Sequence, residues 1–324
     1  MLRVWVEFLS ARELAAHLDL LARRRISPCL AVEGWSPDLG SLLKGCAARG
    51  LEPGLWPLLP LEQGYFPNER NLEPFGRLLS DLVHGAETAG AEPAWMVFDL
   101  EPPLDRGVEL LRGPPLRRFS RLVRWPLETL RPERFEAARR RLEEMVRRLR
   151  RGGWRTLCAA APFLLDQPEG TAGLEDLLES PVLGVGFDRV SFMLYSSMLP
   201  GPGGPGGNPA WVHSYAREAR RRLGGAAAVS LGVTGRGVLE VETLMAGPEV
   251  LARDVGAARA AGIEDVALYN LEGSLRDPEG WLGALRAPAQ EPRESIAVEA
   301  SRAAVRAGAV AAEWGRKTAR ALGR

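Results

Sequence analysis

The chain has 324 residues and a mass of 35.3 kDa, and its 46% hydrophobic content is enough to fill one large core. Its 42 basic and 41 acidic side chains nearly cancel, leaving a net charge of +1. That balance argues against a nucleic-acid binder held by counterion release and against a polybasic membrane-surface protein. No apolar run approaches the length of a bilayer span. The opening MLRVWVEFLSARELAAHLDL carries early acids and no uninterrupted apolar core, so it is not expected to be a secretory leader. Cys29, Cys46 and Cys158 are scattered through apolar segments and read as reduced core thiols, which implies a cytoplasmic setting.

Along the chain, short strand-like runs alternate with longer segments of helical period. The run Arg3–Phe8 is followed by Ala11–Arg24, which opens after the N-cap candidate Ser10 and carries Leu14, Leu18 and Leu21 on one side. Cys29–Glu33 and Gly54–Leu59 follow, then a helical stretch over Asn71–Ala89. Trp95–Glu101 leads into a long Pro- and Arg-rich connection, Pro102–Arg131, with a short helix expected at Leu116–Val123. Pro132–Arg151 begins with Pro in its first turn and spaces Phe135, Ala138, Leu142, Met145, Val146 and Leu149 along one face. Thr156–Ala161 and Arg189–Tyr195 come next, then the Gly- and Pro-rich connection Pro200–Pro209. Helix Pro209–Arg222, run Ala227–Val233, helix Pro248–Ala261 and run Asp265–Leu271 complete the alternation.

Eight strand–helix units in about 280 residues is the count of a (β/α)8 TIM barrel. The rival, an open doubly wound sheet, would carry a Gly-rich turn after its first strand, and Glu7-Phe8-Leu9-Ser10 is no such turn. Residues 1–286 therefore read as the barrel. A short helix, Asp277–Arg286, closes it. Residues 287–324 read as a linker and an extra C-terminal amphipathic helix, Glu294–Leu322, with a broken apolar stripe of Ile296, Ala300, Ala303, Val310 and Trp314. That helix is expected to pack on its own barrel, with a homodimer as the alternative.

The chemistry concentrates at strand ends. In a strand, residues two apart share a face, so in Trp95-Met96-Val97-Phe98-Asp99-Leu100-Glu101 the acids Asp99 and Glu101 point inward above Val97. Met96, Phe98 and Leu100 point to the helix-covered outside. Carboxylates this close cannot both ionise freely, which favours one staying protonated near neutrality, as a general acid must. Glu101, longer and nearer the mouth, is the expected donor and Asp99 its supporting carboxylate. The same alternation puts Glu7 and Glu33 at the ends of the first and second runs. At the eighth it leaves two registers open, either Tyr269 or the Asn270/Glu272 pair facing in. Aromatics near these acids, namely Trp35, Trp56, Tyr65, Tyr195 and Trp211, suit the stacking faces of a sugar. The ligand expected is thus a carbohydrate or another small polar molecule.

Asp99-Leu100-Glu101, taken with Met193-Leu194-Tyr195, resembles glycoside hydrolase family 18, the chitinase-like barrels. The resemblance implies that Glu101 protonates the glycosidic oxygen, that Asp99 orients a substrate N-acetyl group which attacks the anomeric carbon, and that Tyr195 helps hold that group. The sequence departs from the family where a further Asp is usual, at Val97, and after Tyr195, where Ser196 replaces an Asp. A non-catalytic carbohydrate-binding barrel is the first alternative. A divalent-metal sugar isomerase or lyase using Glu7, Glu33, Asp99 and Glu272 is the second, disfavoured because the only histidines are His17, His84 and His213. No metal and no cofactor is implied. Arg112, Arg117, Arg118, Arg121 and Arg124 are read as a solvated helix face.

Overall fold

A computed structural model describes residues 1–92, 94–104, 130–198, 206–238 and 242–323. Eight parallel strands close in sequence order into a barrel: β1 (Leu2–Val6), β2 (Ser27–Val32), β3 (Gly54–Pro57), β4 (Trp95–Leu100), β5 (Arg155–Ala160), β6 (Arg189–Met193), β7 (Ala227–Leu231) and β8 (Asp265–Leu268). Closure is made by β1 against β8, where Val4 stands opposite Leu268. The fold is thus the (β/α)8 barrel expected from the alternation.

The helices begin where the sequence supplies first-turn prolines and caps. They are α1 (Ala11–Ala15), α2 (Leu18–Arg23), α3 (Pro37–Ala47), α4 (Leu72–Thr88), α5 (Pro132–Arg151), α6 (Gly173–Leu177), α7 (Pro209–Leu223), α8 (Pro248–Ala260), α9 (Leu271–Ser274), α10 (Pro278–Ala284) and α11 (Ile296–Ala321). The caps Ser36, Asn208 and Asp277 each accept a backbone N–H from the first turn of α3, α7 and α10. The stretch expected as one helix over Ala11–Arg24 is two. Its backbone tightens to three-residue bonds at Ala16 and His17, which separate α1 from α2. The expected helix Leu116–Val123 and the arginines Arg112 to Arg124 lie outside the described residues, as does most of the Pro200–Pro209 connection.

Alternation divides the strands between two cores. Outward residues such as Val4, Leu30, Met96, Phe98, Phe192 and Leu268 join the helices in one continuous apolar layer. Inward residues, among them Trp5, Cys29, Trp56, Val97, Leu157 and Ala267, fill the barrel. At the amino ends of the strands the barrel is plugged by a buried ion pair, Arg3–Asp265 at 3.0 Å, with the Arg3 and Arg155 guanidinium groups 4.2 and 4.4 Å from the Trp95 ring. All three cysteines are free and buried.

Helix α11 docks on its own barrel. Arg302 reaches Asp166 at 2.6 Å and lies 4.3 Å over the Tyr215 ring, and Arg316 reaches Asp176 at 3.1 Å. A Cβ on Gly173 would stand 2.4 Å from the Glu313 backbone nitrogen, so only glycine allows α6 and α11 to approach this closely. Among the described residues no helix is long and apolar enough to cross a membrane.

Candidate active site

Four strands run inward-facing residues past their last ladder bond, so those side chains stand at the carboxyl-end mouth of the barrel. On β4 the alternation holds to the end. Val97 is buried in the barrel core, Asp99 is 4% exposed above it, and Glu101 follows one residue beyond the strand with its edge reaching solvent. Pro102 and Pro103 end the strand there. Glu7 extends β1, Tyr195 extends β6 and Tyr269 extends β8. The β8 register is settled with Tyr269 inward, packed in the barrel's inner cluster with Ala267.

Burial dominates the electrostatics. Asp99 is pushed well above the usual carboxyl range by loss of solvent, then by the nearby Glu101 and Glu7 charges, with a small opposing influence from the Trp56 indole. Neither Asp99 Oδ1 nor Trp56 Nε1 completes a hydrogen bond, however, so both remain buried polar atoms without partners. Glu101 is pushed up to about 7, again by burial first and then by Glu7 and Glu242. Among the described residues neither Asp99 nor Glu101 has an Arg or Lys in ion-pair contact. Two acids that share one site titrate as a unit, and this one keeps a proton near neutrality. Burial and the Asp99 and Glu101 charges also hold the Tyr195 phenol protonated, leaving it a hydrogen-bond donor.

Glu7 is held by two phenols. Tyr65 donates to Oε1 at 3.0 Å and Tyr269 donates to Oε2. Tyr269 in turn packs against Tyr195, ring centroids 5.5 Å apart, so β1, β6 and β8 are linked round the rim. Below them Trp5 meets Trp56 edge to face at 4.9 Å, and the Trp5 indole N–H donates to Ser230 at 2.9 Å. The segment after β7 brings in a further acid. A Cβ on Gly237 would lie 2.3 Å from Tyr269 Oη, 2.8 Å from Glu242 Oε1 and 3.4 Å from Glu7 Oε2. Glu242 carries no sequence signal, because it sits in a connection with neither strand nor helix period.

The other expected site residues fare unevenly. Tyr65 and Tyr269 join the mouth as partners of Glu7. Trp56 belongs to the buried floor at 3% exposure, so it cannot serve as an open stacking face. Glu33 is exposed and lines a hollow of about 370 Å³ with Gln63, Arg77 and Asp81, which contains none of Glu7, Asp99 and Glu101. Trp35 turns outward. A Cβ on Gly85 would overlap its ring and one on Gly40 would come within 3.1 Å, which places the indole between α3 and α4. Trp211 likewise packs against Tyr215 in the outer layer. Asn270 is a buried N-cap of α9, accepting from Gly273 N–H at 3.0 Å. Glu272 gathers the backbone N–H groups of Glu7, Phe8 and Leu9 at 2.7–3.1 Å, so it shapes the β1 turn. Ser196 points away from the mouth and donates to the buried Asp254. Among the described residues no group of three or more His, Cys, Asp or Glu has metal-binding geometry.

The alternation also breaks on the seventh strand, where a strict two-residue period would put Ser230, Gly232 and Thr234 on one face. Gly232 adopts φ +73°, which flips the following residue, so Val233 joins the inner cluster. Thr234 instead donates to the Asn270 carbonyl and accepts its N–H, tying β7 to β8.

No family model matches the sequence, and no curated protein matches it. The fold does have solved counterparts. The spore cortex-lytic enzyme SleL from Bacillus megaterium QM B1551 superposes with a TM-score of 0.55 at 13% identity, over 91% of this chain and 75% of that one. A class V chitinase from Pseudomonas fluorescens Pf-5 gives 0.54 at 9% identity, over 90% and 99%. The PgaB (BpsB) glycoside hydrolase domain from Bordetella bronchiseptica gives 0.52 at 10% identity, over 90% and 99%. The scaffold is therefore similar to that of chitinases and other glycoside hydrolase barrels.

Proposed function

We propose that this protein is a glycoside hydrolase in which Glu101 is the general acid. The observation that carries the reading is a carboxyl held at about 7 at the open end of the barrel, beside a buried carboxyl and with no ion-pair partner among the described residues. A donor to a glycosidic oxygen needs that proton near neutral pH and a route to solvent for recharging. Asp99 lies deeper on the same face, and the Glu101 charge above it raises the cost of ionising Asp99 in turn. Tyr195 offers a protonated phenol to a sugar oxygen or to charge that develops on the substrate. The likeness to chitinase and cortex-lytic barrels supports a carbohydrate as ligand, and the rim of tyrosines and carboxylates suits hydroxyl groups.

Replacing Glu101 with Gln keeps size and hydrogen-bonding capacity while removing the proton donor. Turnover of a chromogenic glycoside whose phenol is a poor leaving group should fall by about 10²–10⁴-fold, with the circular dichroism spectrum unchanged. Full activity in the variant would overturn the assignment. Sugar binding without turnover in either form would make the barrel a binding module.

A further inference from the structure

We infer that Glu7 is the nucleophile of the same site, and that its substrates are glycosides with a plain hydroxyl at the sugar's second carbon. The inference rests on the proposed hydrolase reading. In a chitinase-like reaction the attacking group is the substrate's own acetamido oxygen, which must approach the anomeric carbon on the face opposite the acid. Here a carboxyl group of the protein, Glu7, extends β1 into the same mouth and lies near enough for its charge to act on Glu101. Strands β1 and β4 are three apart in a ring of eight, so the two residues reach the mouth from separate, non-adjacent strands. A carboxylate already in that position would compete with an acetamido oxygen for the same face and repel it.

The surroundings of Glu7 fit a nucleophile. Burial raises the Glu7 carboxyl above its ordinary range, and Tyr269 and Tyr65, each donating to one of its oxygens, fix the carboxylate plane and offset part of that cost. Each oxygen keeps a free lone pair for attack. Glu272 anchors the backbone N–H of Glu7 at 2.8 Å, so the residue is set by the fold as well as by its side chain. Glycine at position 237 matters for the same reason, since a Cβ there would strike Tyr269 Oη and crowd Glu7. Glu242, the other acid nearby, is less suited, because it comes from an irregular segment and has one buried oxygen without a partner.

The steps balance. A Glu7 oxygen bonds to the anomeric carbon as the bond to the leaving oxygen breaks, and Glu101 gives that oxygen its proton. Glu101, now a carboxylate, then takes a proton from water. The water oxygen bonds to the anomeric carbon and Glu7 departs as a carboxylate, which regenerates the starting state with retained configuration.

The test uses the full chain and aryl glycosides of glucose, galactose, mannose and N-acetylglucosamine. A 2-deoxy-2-fluoro glycoside with a dinitrophenyl leaving group should inactivate the wild-type protein with time, and peptide mass spectrometry should find one sugar on the peptide that holds Glu7. Glu7→Gly should lose about a thousandfold or more in turnover and recover part of it with azide, giving a glycosyl azide of inverted configuration. Tyr269→Phe, a gentler change, should move the acid limb of the pH–rate profile upward by weakening the support of ionised Glu7. Turnover that needs Glu101 but survives Glu7→Gln within about tenfold, or that is confined to N-acetylglucosaminides and blocked by a thiazoline analogue, overturns the role of Glu7 alone. No turnover on any glycoside, or turnover indifferent to Glu101→Gln, overturns the hydrolase reading itself.

Discussion

At the scale of single residues, the account depends on how one barrel mouth treats its carboxyl groups. The ordinary value for a glutamate is 4.5, and Glu101 sits at about 7. A general acid with that value gives an alkaline limb, so kcat/KM should fall as pH rises through about 7. The same shift affects stability. Above about pH 4.5 the unfolded chain releases this proton while the folded one still holds it, so stability is lost as pH climbs towards 7 and then levels off. Part of Glu101 reaches solvent, so the loss is put at about 1–3 kcal/mol. Glu101→Gln removes it. In thermal melts the variant should therefore gain several degrees over wild type at about pH 8 and little at about pH 4. Equal melting temperatures at both pH values would mean that the carboxyl is not shifted. The acid pair and its orientation were legible from β4 alone, because Val97, Asp99 and Glu101 keep the two-residue period to the end of the strand. Trp35 was misread for the opposite reason. It lies beyond Val32, where strand period no longer dictates direction, and the glycines Gly40 and Gly85 leave room for its ring between two helices.

At the scale of elements, the strand ends are tied together by polar groups whose sequence signature is weak. Glu272 illustrates this. Its carboxylate sits in the first turn of α9 and collects three N–H groups from the segment after β1. No sequence spacing announces a bond across 265 positions. Charge-assisted bonds of this kind are individually strong, and losing them leaves the part-buried N–H groups of Glu7 and Leu9 without a partner. Glu272→Ala should cost about 2–4 kcal/mol in urea unfolding. It should also slow turnover by loosening Glu7, whereas a pure surface residue would change neither. Asn270 was recognisable after the fact, as an N-cap residue ahead of Leu271-Glu272-Gly273. The competing reading, an inward-facing side chain, was equally compatible with strand period. The Gly232 turn shows the same limit, since one positive φ reverses the side-chain direction of everything after it.

At the scale of the whole molecule, the eight-unit alternation was enough to define the barrel, because apolar runs buried on both faces and spaced by helices admit few other packings. Helix α11 adds an outer brace whose attachment is ionic as much as apolar. Arg302 is 3% exposed and its partner Asp166 is fully buried, so Arg302→Ala leaves a charge without its nearest cation. Arg306 and Tyr215 still contact Asp166, which limits the cost to about 3 kcal/mol in chemical unfolding. Because the brace packs on α5, α6, α7 and the segment after β5, KM and kcat at moderate temperature should stay within about twofold. A large kinetic effect would show that the brace shapes the site.

The central claim is best tested by leaving-group dependence. Wild-type protein and Glu101→Gln are compared on two glycosides that share a sugar and differ only in the acidity of the departing phenol. In kcat/KM, which reports the bond-breaking step alone, a lost proton donor should cost the poorly departing substrate about a thousandfold and spare the dinitrophenyl one, which leaves without protonation. Equal losses on both substrates, or none on either, would contradict Glu101 as the acid.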